Sequence, residues 1–309
     1  MSPQWLEDIA SRWIPGEGPV DIRLLGHGLV NQSYRVARAG RLYSLRLARP
    51  DSGDLGLDDA WECRVLSGAA AAGLAPVVHR CDPNGVLVAD WVPGLAWTAA
   101  ETRLTANLEA MAHLLRRVHA LAAPEPQRTG GPETWIAHYS AVLTRSPISA
   151  ARRSASRRAA AHVRRERLSE IPAPNPALCH SDLHRFNVAV GERLLLLDWE
   201  YAHVGDPYWD LAGWVSNNDG DEAFAAQFLT SYLERAARPE EAARLRLMMW
   251  LYDYVCLLWS EVYSSQRLGA FSAAVARPAS ESARATVAGA AAGAAASVAV
   301  RAELLARRL

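Results

Sequence analysis

The chain has 309 residues, half of them apolar, which is enough for one large domain or two lobes with a substantial core. Its 33 basic and 33 acidic residues cancel, and this balance argues against general affinity for nucleic acid or a membrane surface. Every basic residue is arginine; the chain contains no lysine. No stretch is apolar and long enough to span a bilayer, and the opening MSPQWLEDIASRWIP carries no apolar signal core, so a cytoplasmic location is expected. Cys63, Cys81, Cys179 and Cys256 are widely separated and form no C-x-x-C pair. They read as buried small apolar residues in a reducing compartment, not as metal ligands or nucleophiles.

In chain order, Ile22–Leu25 reads as a strand leading into a turn with Gly26 and Gly28, then a second strand from Tyr34 to Ala37. A strand–glycine turn–strand hairpin lets backbone amides approach an anion, as a phosphate cradle requires. Leu42–Leu47 alternates as a half-buried strand does. Asp58–Ala72 reads as a helix with an apolar stripe of Ala60, Trp61, Val65 and Ala69, stopped at Gly73. Ala75–Cys81 and Gly85–Ala89 read as two strands around the turn Asp82-Pro83-Asn84-Gly85. Pro93 and Gly94 mark a linker, and beyond Leu104 the pattern turns helical: Leu104–Leu121, Trp135–Leu143 and the arginine-rich Ala150–Leu168. No aromatic residues interleave with the arginines of that last helix, so it reads as a solvated face. Pro172, Pro174 and Pro176 end it. Asp221–Arg235 and Glu240–Arg267 read as long helices.

Between the proline run and these helices lies Leu178–Glu200, LCHSDLHRFNVAVGERLLLLDWE. Asp182 and Asn187 stand five apart, and a short apolar strand, Leu194–Leu197, returns Asp198 beside them. Magnesium takes oxygen ligands and keeps its waters, so a carboxylate and an amide oxygen suffice once nucleotide phosphates complete the shell. A second carboxylate, left off the metal, can accept the proton of an attacking hydroxyl.

The pattern H-x-D-x-x-x-x-N, followed by D-W-E-Y-A and G-D-P-Y-W-D-L-A, resembles the choline, ethanolamine and thiamine kinases, relatives of the aminoglycoside phosphotransferases in the protein-kinase-like superfamily. GHGLVNQSYRV is similar to the G-G-x-T-N-x-x-Y loop of the choline kinases. The resemblance covers roughly residues 20–268. It implies an α+β, two-lobed protein-kinase-like fold: a β-rich N-lobe over 1–92, a mainly helical C-lobe over 93–268, and an Ala-rich tail over 269–309. It implies ATP and Mg2+ as cofactors, with Asp182 as the catalytic base and Asn187, Asp198 and Glu200 at the metal. Gly28, Asn31 and Ser33 belong to the phosphate loop. Arg46 stands where related kinases carry the phosphate-binding lysine, with Glu62 as its partner, and an arginine there matches the choline-kinase branch. Asp90 and Val92 lie at the hinge, where backbone groups hold adenine. Asp210 braces the catalytic loop.

The implied reaction moves the γ-phosphate of ATP to a small alcohol, cationic by resemblance. The aromatics of the last long helix, Trp250, Tyr252, Tyr254, Trp259 and Tyr263, with Asp253 and Glu261, suit a quaternary nitrogen, and two or three of them are expected at the pocket. Competing readings are an aminoglycoside phosphotransferase, a catalytically silent binding protein on the same fold, and a nucleic-acid binder using the basic helix.

Overall fold

Alternating apolar and polar residues near the N-terminus build three antiparallel strands, β1 (Asp21–His27), β2 (Gln32–Arg38) and β3 (Arg41–Leu47). Two more, β4 (Val78–Asp82) and β5 (Val86–Asp90), complete a five-stranded sheet in the order β1-β2-β3-β5-β4. The computed structural model describes residues 3–27, 31–48, 52–93, 96–145 and 173–275. Helix α1 (Pro3–Trp13), absent from the sequence reading, contributes Ala10 to one face of the sheet, where Ala10 and Ile14 pack with Tyr34, Val36, Tyr43, Leu45 and Val88. Helix α2 (Asp59–Ala71) is capped by Asp58, whose carboxylate accepts from the Trp61 N–H at 2.9 Å. Its buried Trp61, Val65, Leu66 and Ala69 join the larger core of the second lobe, and Trp61 Nε1 donates to Ala202 O at 2.7 Å. Helix α2 thus belongs to the first lobe by sequence and is seated on the second by packing.

The second lobe consists of α3 (Thr105–His119), α4 (Pro132–Thr144), α5 (Tyr208–Asn217), α6 (Glu222–Leu233) and the long α7 (Pro239–Val275), which packs along α4 and α5. Strand β6 (Ala177–Cys179) pairs with β9 (His203–Gly205), and β7 (Val188–Val190) pairs with β8 (Leu194–Leu196). The two ribbons frame the stretch that carries the polar motif. Gly28, the arginine-rich Ala150–Leu168 and residues 276–309 lie outside the described residues.

One expectation is corrected. Cys63 of α2 and Cys81 of β4 are not thiols but form a disulfide, with Cα atoms 5.4 Å apart. Eighteen residues separate them, and only the packing of α2 against β4 brings them together. Cys179 is a buried free thiol and Cys256 a half-buried one.

Candidate active site

Strand β3 alternates, so Tyr43, Leu45 and Leu47 are buried while Arg46 points to the other side. Ser33 is its cross-strand partner on β2, so the two lie on the same face. The Arg46 guanidinium bridges two carboxylates from different elements: NH2 donates to Glu62 of α2 and NH1 to Asp198. Glu200 lies 4.0 Å from the same guanidinium. Burial alone would lower the pKa of Arg46, but Glu62, Asp198 and Glu200 outweigh it and hold the group above its ordinary range. Burial in turn raises Glu62 above the usual carboxylate range, against the pull of Arg46. Glu200 is raised further, first by burial and then by the neighbouring Asp198. Its Oε2 accepts from Asn31 Nδ2 across the cleft.

The opposite wall is the loop between β6 and β7. Asn187 closes a 3-10 turn, Arg185–Asn187, and its Nδ2 donates to the backbone oxygen of Asp182 at 2.9 Å and to the Asp182 carboxylate at 3.1 Å. The β7–β8 ribbon then returns the chain: Leu197 N–H donates to Asn187 O at 2.9 Å, and Asp198 follows with φ +63°. Asp210 receives the backbone N–H groups of His180 and Ser181 at 2.8 and 2.7 Å and lies 3.1 Å from His119 Nε2. Burial opposes its charge, yet His119 and His180 keep its pKa below the ordinary value. It braces the loop backbone.

These groups share one cavity of about 400 Å³. Asn31, Ser33, Arg46, Asp182, Asn187, Asp198 and Glu200 line it together. Glu62 reaches it through Arg46. Asp90 and Val92 are not among its lining residues. Asp90 N–H donates to Val77 O at 2.8 Å, and its carboxylate is held by His79 at 2.7 Å and Arg41 at 3.6 Å. Aromatic side chains line the same cavity: Trp135 and Tyr139 of α4, Tyr201, Trp209 of α5, and Tyr252 and Trp259 of α7. Trp259 Nε1 donates to Tyr201 OH at 2.7 Å. Two aromatics of the last helix reach the cavity, while Trp250, Tyr254 and Tyr263 are core, and neither Asp253 nor Glu261 is a lining residue. Sequence reasoning missed Trp135, Tyr139, Tyr201 and Trp209 as lining groups. Tyr201 and Trp209 lie inside D-W-E-Y and G-D-P-Y-W-D, where adjacency to Glu200 and Asp210 was the available signal.

A five-stranded sheet lobe, an arginine–glutamate pair reaching into the cleft, and an Asp/Asn loop closed by a returning Asp define a kinase-like phosphotransferase. Residues 21–250 match the model of the phosphotransferase enzyme family, well over half of the chain, and the chain belongs to that family. The expected enzyme class, a kinase acting on a small molecule, stands on that match. A choline/ethanolamine kinase family protein from Mesorhizobium loti is similar in structure, with TM-score 0.69 and 25% identity, covering 100% of this chain and 98% of that one. Choline kinase LicA from Streptococcus pneumoniae gives 0.71 at 20% identity, covering 95% and 98%. A spectinomycin phosphotransferase, APH(9)-Ia, solved with ADP and spectinomycin, gives 0.55 at 16% identity, covering 87% and 88%. Among curated proteins, a LicA homolog of Metamycoplasma hominis is 37% identical over 59 residues, 19% of this chain and 24% of that relative's length. The two-lobed α+β kinase-like fold expected from the sequence is shown by these likenesses.

Proposed function

We propose that this protein transfers the γ-phosphate of ATP to the hydroxyl of a small cationic alcohol of the choline, ethanolamine or thiamine kind. The observation that carries the reading is that one cavity is lined both by the Arg46, Asp182, Asn187, Asp198 and Glu200 polar groups and by aromatic side chains. Phosphoryl transfer needs positioning and charge stabilisation above all. Arg46, held by Glu62, clamps the upstream phosphates, with Asn31 and with Ser33 of β2 lining the same cavity. Asp182, oriented by Asn187, accepts the proton of the attacking hydroxyl. Asp198 and Asn187 offer a carboxylate and an amide oxygen, with Glu200 beside them, a hard-oxygen donor set that suits magnesium. When bound, the ion neutralises charge on the phosphates. Adenine is assigned to the lobe boundary, to the Asp90 carbonyl and the Val92 N–H, since the Asp90 and Trp91 N–H groups are taken by Val77 O and Leu42 O. Aromatic faces attract a cationic nitrogen by about 2 kcal/mol when desolvated.

Among the described residues, no helix is long and apolar enough to cross a membrane. The spectinomycin enzyme is less similar in structure than the two choline-kinase relatives, which supports the small-alcohol reading over an aminoglycoside acceptor. The test is ATP consumption with magnesium against choline, ethanolamine, thiamine, a sugar and kanamycin. Turnover with one of the first three is expected. Turnover with kanamycin alone, or with none, overturns the proposal.

A further inference from the structure

We propose that His203 is a positioning residue for the catalytic base, acting through Ser181. The proposal rests on the reading of Asp182 as that base. Ser181 immediately precedes Asp182 and has φ +73°, a left-handed conformation that a residue with a Cβ adopts only when its surroundings impose it. The direction in which Asp182 leaves the loop depends on that dihedral. Asp210 accepts the N–H groups of His180 and Ser181, bonds that any residue at position 181 could make. The bond specific to a serine is made by its hydroxyl, with Oγ and His203 Nδ1 2.8 Å apart.

The imidazole is itself fixed. It is fully buried, on β9 directly across the antiparallel register from Cys179, the last residue of the strand that feeds the loop. Bare backbone closes round it. A Cβ on Gly130 would lie 2.7 Å from its Cδ2, and one on Gly205 would lie 3.0 Å from Cδ2 and Nε2. The edge of Trp135 lies against it, with ring centroids 5.9 Å apart, and its Nδ1 is also 3.2 Å from Tyr201 O. A ring confined in this way offers Ser181 one position for the hydrogen bond. His203 is not among the residues lining the main cavity, so its influence on turnover passes through the loop.

Turnover with ATP, magnesium and the acceptor selected by the substrate panel tests the role, with Asp182→Asn measured alongside. Ser181→Ala and His203→Leu are expected to lower kcat about 10- to 100-fold, the scale of a misplaced catalytic group, with the KM for ATP unchanged. Ser181→Gly, free to adopt the left-handed conformation without help, is expected to recover most of the loss, as is His203→Asn, which can still bond the hydroxyl. Wild-type kcat in Ser181→Ala and His203→Leu beside an inactive Asp182→Asn overturns the positioning role alone. So does a loss in Ser181→Ala that Ser181→Gly does not relieve. An active Asp182→Asn overturns the base assignment instead. If His203→Leu does not fold, the Ser181 pair of variants still decides.

Discussion

The roles proposed for Asp182 and His203 each rest on a single side chain. Asp182→Ala removes the group proposed to take the hydroxyl proton, and turnover should fall about 10²–10⁴-fold while ADP affinity holds. Steady-state kinetics beside calorimetric titration with ADP checks both halves. His203 makes a separate prediction for stability. Burial depresses its pKa from 6.5 to about 4, against the pull of Asp210 and with Arg128 adding to the depression. Between those values the unfolded chain binds a proton that the folded chain does not, so stability falls as pH drops from 6.5 towards 4. Over the whole window the effect is about 3 kcal/mol. Urea midpoints measured from pH 7 to 4 should converge for wild type and His203→Asn at the acid end, because the variant lacks this proton-linked loss.

Two elements decide what the site can hold. Helix α2 brings Glu62 to Arg46 and is tied to β4 by the Cys63–Cys81 disulfide. A crosslink closing a loop of this size restricts the unfolded chain by about 3 kcal/mol. The Cys63→Ser/Cys81→Ser double variant should therefore show a lower urea midpoint, and a reductant should lower the wild-type midpoint to match it. Helix α7 presents Tyr252 and Trp259 to the cavity. Trp259→Ala should raise the KM for a cationic acceptor roughly 30-fold, equivalent to about 2 kcal/mol of lost cation–π attraction, with the KM for ATP unmoved. An equal rise in both would place Trp259 outside acceptor binding.

At the scale of the whole molecule, the polar ties between the lobes include Arg46 to Asp198, Asn31 to Glu200, Trp61 Nε1 to Ala202 O at 2.7 Å, and the Leu196 N–H to Leu74 O at 2.8 Å. The first two run through the groups proposed to handle metal and phosphate, so nucleotide binding and lobe seating share residues. Asp198→Ala should abolish magnesium-dependent nucleotide binding, and titration with ADP in the presence and absence of magnesium checks it. The sequence by itself determined that Asp182, Asn187 and Asp198 meet: the Asp182–Asn187 spacing and the short apolar return to Asp198 are local, and a tight ribbon brings such groups together whatever surrounds it. Alternation likewise placed β3 and the outward Arg46, because side-chain direction in a strand follows from period two. Only the tertiary structure decided which aromatics line the cavity, since Trp135, Tyr201 and Tyr252 come from separate elements. It also decided that Cys63 meets Cys81 and that His203 stands behind Ser181. Those contacts arise from packing between distant segments, which no local spacing encodes.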